Sequence, residues 1–300
     1  MSNPLPIAID SDKVATITLE PNQGPMVILD HSLIQRIEAT LKSLTSDLAG
    51  VILASGSDRV FVAGADLKSI DAMGHDELDK YLAFGQRVFG MFCNLPCPSV
   101  AAINGAALGG GLELAMHCDG LVAAPAAPRD GQPPKPYPIG LPEAGLMICP
   151  GWGGTNLLPA RMRDREQAIR ITALGQPMLL DAAITSGLID RAAPSHDTLR
   201  ATAKAWLMDN RTIAAKRRDA QPLHWIGRPD VRSSVTIALT KLQSELPKQD
   251  PASAVLHAVH AGLEHGWMSA LKVEREELNR LRAAPAGKTA ITAFLNKSKK

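Results

Sequence analysis

The sequence predicts an α/β fold followed by an all-helical C-terminal region, and three observations lead there. Apolar runs of strand length alternate with segments of helical period over the first half of the chain. Beyond about residue 160 almost every apolar position recurs at helical spacing instead. The chain has 300 residues, 45% of them hydrophobic and 21% charged, enough for one large domain or one domain with a substantial appendage. The division expected is an α/β core over 1–195 and a helical region over 196–300 that packs on it.

The first element is Val14 to Leu19, where apolar residues alternate with Ala and Thr as in a half-exposed strand. A second short run, Met26 to Leu29, follows Pro21-Asn22-Gln23-Gly24-Pro25. Leu33, Ile34, Ile37, Leu41 and Leu44 mark a helix, with Ser32 available near its N-cap. Gly50 to Ala54 reads as a buried strand, 76–92 as a helix, and Ser99 to Ile103 as a strand after Pro96 and Pro98. Six prolines between Pro125 and Pro138 exclude a helix interior or central strand there and predict a surface loop. Ala254, Leu256, Val259, Leu263, Met268 and Leu271 read as one helix, Val273, Leu278 and Leu281 continue it, and a last short helix holds Ile291 and Phe294. A basic tail of Lys297, Lys299 and Lys300 ends the sequence.

Composition narrows the function. Thirty-two Lys plus Arg against thirty Asp plus Glu leave a net charge of +2, which gives no electrostatic drive toward nucleic acid. Four Cys cannot build a disulfide scaffold, and Cys93 and Cys97 are not spaced as a zinc knuckle. The first residues lack a basic segment followed by an apolar one, and no apolar run reaches the roughly 18 residues of a spanning helix. A cytoplasmic protein with neither membrane nor nucleic-acid partner is expected.

Two Gly-containing segments each join a strand to a helix: Phe61 to Leu67, and Ile103 to Leu114 with Gly109-Gly110-Gly111 at its centre. Neither is a dinucleotide fingerprint or a P-loop. Consecutive glycines at a helix start admit a ligand close to unpaired N–H groups, and they equally suit tight packing of helix on sheet. Glu113 lies one turn into that helix, and Glu143 follows the proline-rich segment; both have apolar neighbours. Paired carboxylates can pass protons as acid and base, although either alone also fits a surface or capping position. His257, His260, Glu264 and His265 share a helix, but a solvated face explains them better than a metal site. Cys118 and Cys149 read as small apolar fillers, and Glu274, Glu276 and Glu277 with Lys272 and Arg275 as surface charge pairing. Trp152 either narrows a pocket or simply packs.

In order along the chain, FVAGADL, INGAALGGGLELAMHCD and GLPEAGLMICPGWGGTNLLP resemble the crotonase (enoyl-CoA hydratase/isomerase) superfamily, over about residues 10 to 195. The resemblance implies a spiral of ββα units and an acyl-CoA substrate. It places two oxyanion-hole N–H donors on Ala65 and Gly110 and two catalytic acids on Glu113 and Glu143. It puts Ala63, Ala65, Asp66, Leu67, Lys68 and Gly110 against the acyl-CoA; Arg59 and Lys68, flanking the first Gly-rich segment, suit either CoA phosphates or ordinary exposed positions near a loop. Hydration of a trans-2-enoyl-CoA in β-oxidation or related catabolism is the implied reaction, with no cofactor and no metal. The alternatives are a Δ3-Δ2 enoyl-CoA isomerase and a non-catalytic acyl-CoA-binding subunit. One departure is the spacing: the two glutamates are thirty residues apart, against about twenty in the family, and the proline-rich segment supplies the surplus.

The last third is similar to the region following the hydratase domain in multifunctional fatty-acid oxidation enzymes, through Lys216-Arg217-Arg218, Glu264-His265-Gly266 and Ala293-Phe294-Leu295-Asn296. That likeness implies helices covering their own subunit, a monomer or dimer as readily as the family's trimers, and a dehydrogenase or thiolase as a conceivable partner. No G-x-G-x-x-G occurs in the sequence, so no NAD chemistry is expected.

Overall fold

The computed structural model describes residues 3–128, 131–217 and 219–297. Strand β1 (Ile7–Ile9) pairs antiparallel with β2 (Val14–Leu19), and the remaining pairs of this sheet are parallel: β2 with β3 (Gly50–Ser55), β3 with β5 (Ser99–Ile103), β5 with β7 (Gly120–Ala123), and β7 with β10 (Arg191–Ala192). A second sheet sets β4 (Val60–Val62), β6 (Ala106–Leu108) and β8 (Pro138–Gly140) parallel, with β9 (Met178–Leu179) antiparallel at its edge. Each turn of the chain contributes one strand to each sheet and then helix. β3 and β4 lead to α2 (Leu67–Ala72) and α3 (His75–Gly90), and β5 and β6 lead to α4 (Gly110–Met116). β7 and β8 lead through a 3-10 turn at Glu143–Leu146 to α5 (Gly154–Arg161). This is the expected spiral of ββα units with a helical C-terminal region.

Why the central strands read as continuous apolar runs follows from burial on both faces, the rule for parallel sheets. Leu53, Ala101, Ile103 and Leu121 point into the main core, whereas Ile52, Val100, Ala102 and Val122 meet Trp206 and Leu207 of α8 (Leu199–Asp209). The run at Met26 to Leu29 forms no regular strand. It opens the spiral through a parallel bridge of Leu29 with Ala65, in which Leu29 N–H donates to Gly64 O and Asp66 N–H to Leu29 O. Helix α1 (His31–Ser43) is capped by Asp30, not Ser32: Asp30 Oδ1 accepts from Leu33 N at 2.7 Å. The expected helix over 76–92 is α3 followed by a 3-10 turn at Met91–Asn94.

The C-terminal helices differ from expectation in one place. Ala254 to Leu271 is not one helix; α10 (Asp250–His265) and α11 (Trp267–Ala283) meet at Gly266, whose φ of +86° suits glycine. The break rotates the apolar stripe, so Trp267 is buried and Met268 is 71% exposed. α10 packs on α5 and on α6 (Arg165–Leu174), and α6 also meets α9 (Pro229–Glu245). α11 lies on α3, and α12 (Pro285–Lys297) lies on α2 and the 143–146 turn. Helix α7 (Leu180–Thr185) follows β9, and the short strands β9 and β10 interrupt a stretch expected to be helical. Among the described residues no helix is long and apolar enough to cross a membrane. Arg129, Asp130, Arg218, Lys299 and Lys300 lie outside the described residues.

Candidate active site

The glycines between β6 and α4 each meet a different demand. Gly109 has φ +52°, and a Cβ there would lie 2.7 Å from Glu143 Oε1. A Cβ on Gly110 would fall 2.3 Å from the Trp152 ring. One on Gly111 would sit 2.5 Å from the Val62 carbonyl oxygen, so this residue serves helix-on-sheet packing. Gly111→Ala should therefore cost roughly 1–3 kcal/mol by overpacking. Gly74→Ala, with nothing within 4 Å of its Cβ, should leave stability near wild type. Urea midpoints test the contrast, and equal midpoints would refute it.

Gly109 and Gly110 border a cavity of about 390 Å³ at the junction of the second sheet, α4 and the 143–152 segment. Its walls are mostly apolar, with Ala63, Leu67, Ile70, Leu82, Leu146, Ile148, Trp152, Leu278 and Phe294 among them. Its polar groups are few and convergent, as expected of a ligand site. Ala65, Gly110, Glu113 and Glu143 all line it. In the Leu29–Ala65 bridge the neighbouring residues 64 and 66 carry the hydrogen bonds, which leaves the Ala65 N–H outside that pairing. Gly110 is the first residue of α4, so its N–H has no acceptor within the helix. The ladder bond there is made one residue earlier, from Gly109 N to Gly140 O at 2.9 Å.

Both carboxyl groups are buried. Glu113, 1% exposed, accepts from Trp152 N at 2.7 Å and Gly154 N at 2.8 Å, both on Oε1, which leaves Oε2 for the cavity. Glu143 Oε2 is buried without a hydrogen-bond partner. Burial pushes the Glu113 carboxyl well above its ordinary 4.5, with the Glu274 and Glu143 carboxylates adding to the effect and the two backbone donors opposing it. Burial, with a further push from Glu274, takes Glu143 up to about 8.

Glu274 is the residue sequence reasoning missed. It is not part of a surface charge cluster; it is fully buried, with Oε2 accepting from Gly153 N at 2.5 Å and Oε1 from Thr155 N at 2.9 Å and from the Thr155 hydroxyl. Burial takes its carboxyl up to about 7. One signal was available: Leu271, Glu274, Leu278 and Leu281 fall at helical spacing on the buried face of α11.

Other expected residues lie elsewhere. Asp66 caps α2, with Oδ1 accepting from Lys68 N at 3.2 Å, and Lys68 is exposed; neither lines the cavity. Arg59 borders a separate cavity of about 330 Å³ with Asp58, Tyr137 and the described part of the proline-rich segment, and no described residue of that segment lines the main cavity. Trp152 both packs and lines: its ring meets Tyr81 and Phe89 edge-on, and Nε1 donates to Leu82 O at 3.1 Å. Cys118 and Cys149 are buried free thiols, and Cys149 borders the main cavity. His257 is exposed and pairs with Glu277 at 2.9 Å, and among the described residues no group of three His, Cys, Asp or Glu could hold a metal.

A raised carboxyl pKa has a consequence for stability. Glu143 and Glu274 hold protons in the folded state that the unfolded chain releases near 4.5. Their contribution is complete below about 4.5 and is lost as pH rises through about 7 to 8, on the order of a few kcal/mol. Glu143→Gln should flatten the fall in melting temperature across that window; a slope identical to wild type would contradict the assignment.

The arrangement is an apolar cavity bordered by Ala65 and Gly110, whose N–H groups lie outside the bridge and helix bonding described, and by two buried carboxyls. The sequence model of the enoyl-CoA hydratase/isomerase family matches residues 10–220, and the chain belongs to that family. It is 29% identical over 292 residues to the fatty acid oxidation complex subunit alpha of Aliivibrio fischeri, covering 95% of this chain and 41% of that protein. The chain thus spans about two fifths of the length of that curated relative. Among solved structures, a carnitinyl-CoA dehydratase from Mycobacterium thermoresistibile superposes with a TM-score of 0.69 at 18% identity, covering 96% of this chain and 89% of that one. An enoyl-CoA hydratase from Bacillus halodurans gives 0.66 at 20% identity over 96% and 99% of the two chains. These likenesses establish the fold.

Proposed function

We propose that the protein is an enoyl-CoA hydratase, which adds water across a trans-2-enoyl-CoA to give the 3-hydroxyacyl-CoA in fatty-acid β-oxidation or related acyl-CoA catabolism. The observation that carries the reading is the meeting of Glu113 and Glu143 in one cavity with the amides of Ala65 and Gly110. Conjugate addition moves negative charge onto the thioester oxygen. Two preorganised N–H donors in an apolar cavity stabilise that charge, each worth roughly 3 to 4 kcal/mol in the transition state.

The hydrogen bonds divide the acid and base roles. Burial pushes both groups up; the two backbone donors on Glu113 Oε1, against one backbone donor on the Glu143 carboxyl and none on its Oε2, favour Glu113 as the charged partner when the pair holds one proton. Glu113 then takes the proton from the attacking water, and Glu143 delivers one to Cα. Ala63 and Leu67 line the acyl path. Adding water transfers no electrons, so the proposed reaction needs neither a redox cofactor nor a metal. The product is the substrate type of a 3-hydroxyacyl dehydrogenase, the class of partner this reading favours, alone or in a homo-oligomer.

Presenting 2-enoyl-CoA and 3-enoyl-CoA thioesters separately tests the reading. Loss of enoyl-thioester absorbance with the 2-enoyl substrate is expected. Turnover confined to the 3-enoyl substrate would make the protein an isomerase, and binding without turnover of either would make it an acyl-CoA-binding subunit.

A further inference from the structure

Four successive backbone amides, from Trp152 to Thr155, are shared alternately between two carboxylates. Trp152 N and Gly154 N donate to Glu113 on α4, whereas Gly153 N and Thr155 N donate to Glu274 on α11. The segment enters the N-terminus of α5, where a negative charge is favoured. It is fastened at neighbouring points by the C-terminal helices. Gln86 Nε2 donates to both Gly151 O and Leu271 O at 2.8 Å, Arg275 donates to Gln86 Oε1 at 2.6 Å, and Asn156 Nδ2 donates to Ala258 O at 3.2 Å.

We propose that Glu274 is a positioning residue for the reaction: by holding Gly153 and Thr155 it fixes the two amides that pin Glu113 Oε1, and so presents Glu113 Oε2 to the cavity. The inference rests on the role given to Glu113 in hydration. Adjacent amides of one short segment cannot shift independently, so loosening the Glu274 side turns the Trp152 and Gly154 N–H groups away from Glu113. Once ionised, above about pH 7, Glu274 also acts through its charge, which opposes ionisation of Glu113. The other titratable groups facing Glu113 are Glu143 on the 143–146 turn, the buried Cys149 thiol, and His117, whose Nδ1 lies 2.9 Å from Glu113 O and which burial holds neutral down to about 4.

Glu274→Gln keeps the volume, removes the charge and places an amide donor against backbone donors. Turnover of a 2-enoyl-CoA should fall about 10- to 100-fold in kcat with KM within about twofold, because geometry at the reacting centre is lost and acyl contacts are not. Carboxyl carbon NMR of glutamate-labelled protein reads Glu113 without turnover, the Glu113 signal being the one lost in Glu113→Gln. If the wild type hydrates nothing, the hydratase reading fails, and a Glu113 signal displaced in chemical shift at fixed pH in Glu274→Gln, as loosened Trp152 and Gly154 donors would displace it, still supports the positioning role. An unmoved signal overturns it. Should Glu274→Gln not fold, Thr155→Val removes one donor from Glu274 without changing charge. A reduced kcat at constant KM then supports the grip, and an unchanged kcat overturns it.

Discussion

Glu113→Gln and Glu143→Gln are each expected to lower kcat/KM for a 2-enoyl-CoA by about 10²- to 10⁴-fold, the usual range for a lost acid or base. The amide at 113 keeps an oxygen for the Trp152 and Gly154 N–H groups, so the fold should survive while the base is gone. At 143 the amide replaces an acid that burial keeps protonated to about pH 8, so the proton for Cα is missing. The double variant should be little slower than the worse single one, since the two act as a unit. Near-wild-type turnover by both single variants would remove the carboxylates from the mechanism.

A chain truncated after residue 249 is expected not to fold. Val255, Val259, Leu263, Trp267, Leu271, Leu278, Leu281 and Ile291 are all buried in α10 to α12. At about 1.5–3 kcal/mol each their burial is worth on the order of 10–20 kcal/mol, against a typical total stability of about 5–15. Truncation also takes away Glu274, leaving Gly153 and Thr155 donors unmet beside the cavity. We therefore propose that the region after residue 195 is no separable module but completes the α/β part. Circular dichroism and sedimentation of the truncated chain check this; a soluble, folded and fully active product would contradict it.

How much of this the sequence discloses depends on what each residue answers to. Gly50 to Ala54 and Ser99 to Ile103 are legible because both faces of each strand are buried, and only an apolar run satisfies that. Gly109 to Gly111 are legible as a motif but not in their division of labour, since the clashes that require glycine come from Glu143, Trp152 and Val62. The break at Gly266 was hidden because Met268 and Leu271 keep helical spacing across it, and only the positive φ separates the two helices. Glu274 was hidden by its charged neighbours Lys272, Arg275, Glu276 and Glu277. Its function depends on amides 119 and 121 residues away, a distance over which sequence pattern carries no signal. Asp66 shows what a motif does not disclose: the side chain in FVAGADL caps α2, a local role that the sequence pattern alone does not reveal.

The most direct test of the central claim is mass spectrometry of a short 2-enoyl-CoA incubated with the protein in water enriched in heavy oxygen. Hydration predicts a 3-hydroxyacyl-CoA carrying one heavy oxygen at C3, formed by the wild type and nearly absent with Glu113→Gln. Recovery of the 2-enoyl-CoA without added water, or equal incorporation by Glu113→Gln, would contradict the account.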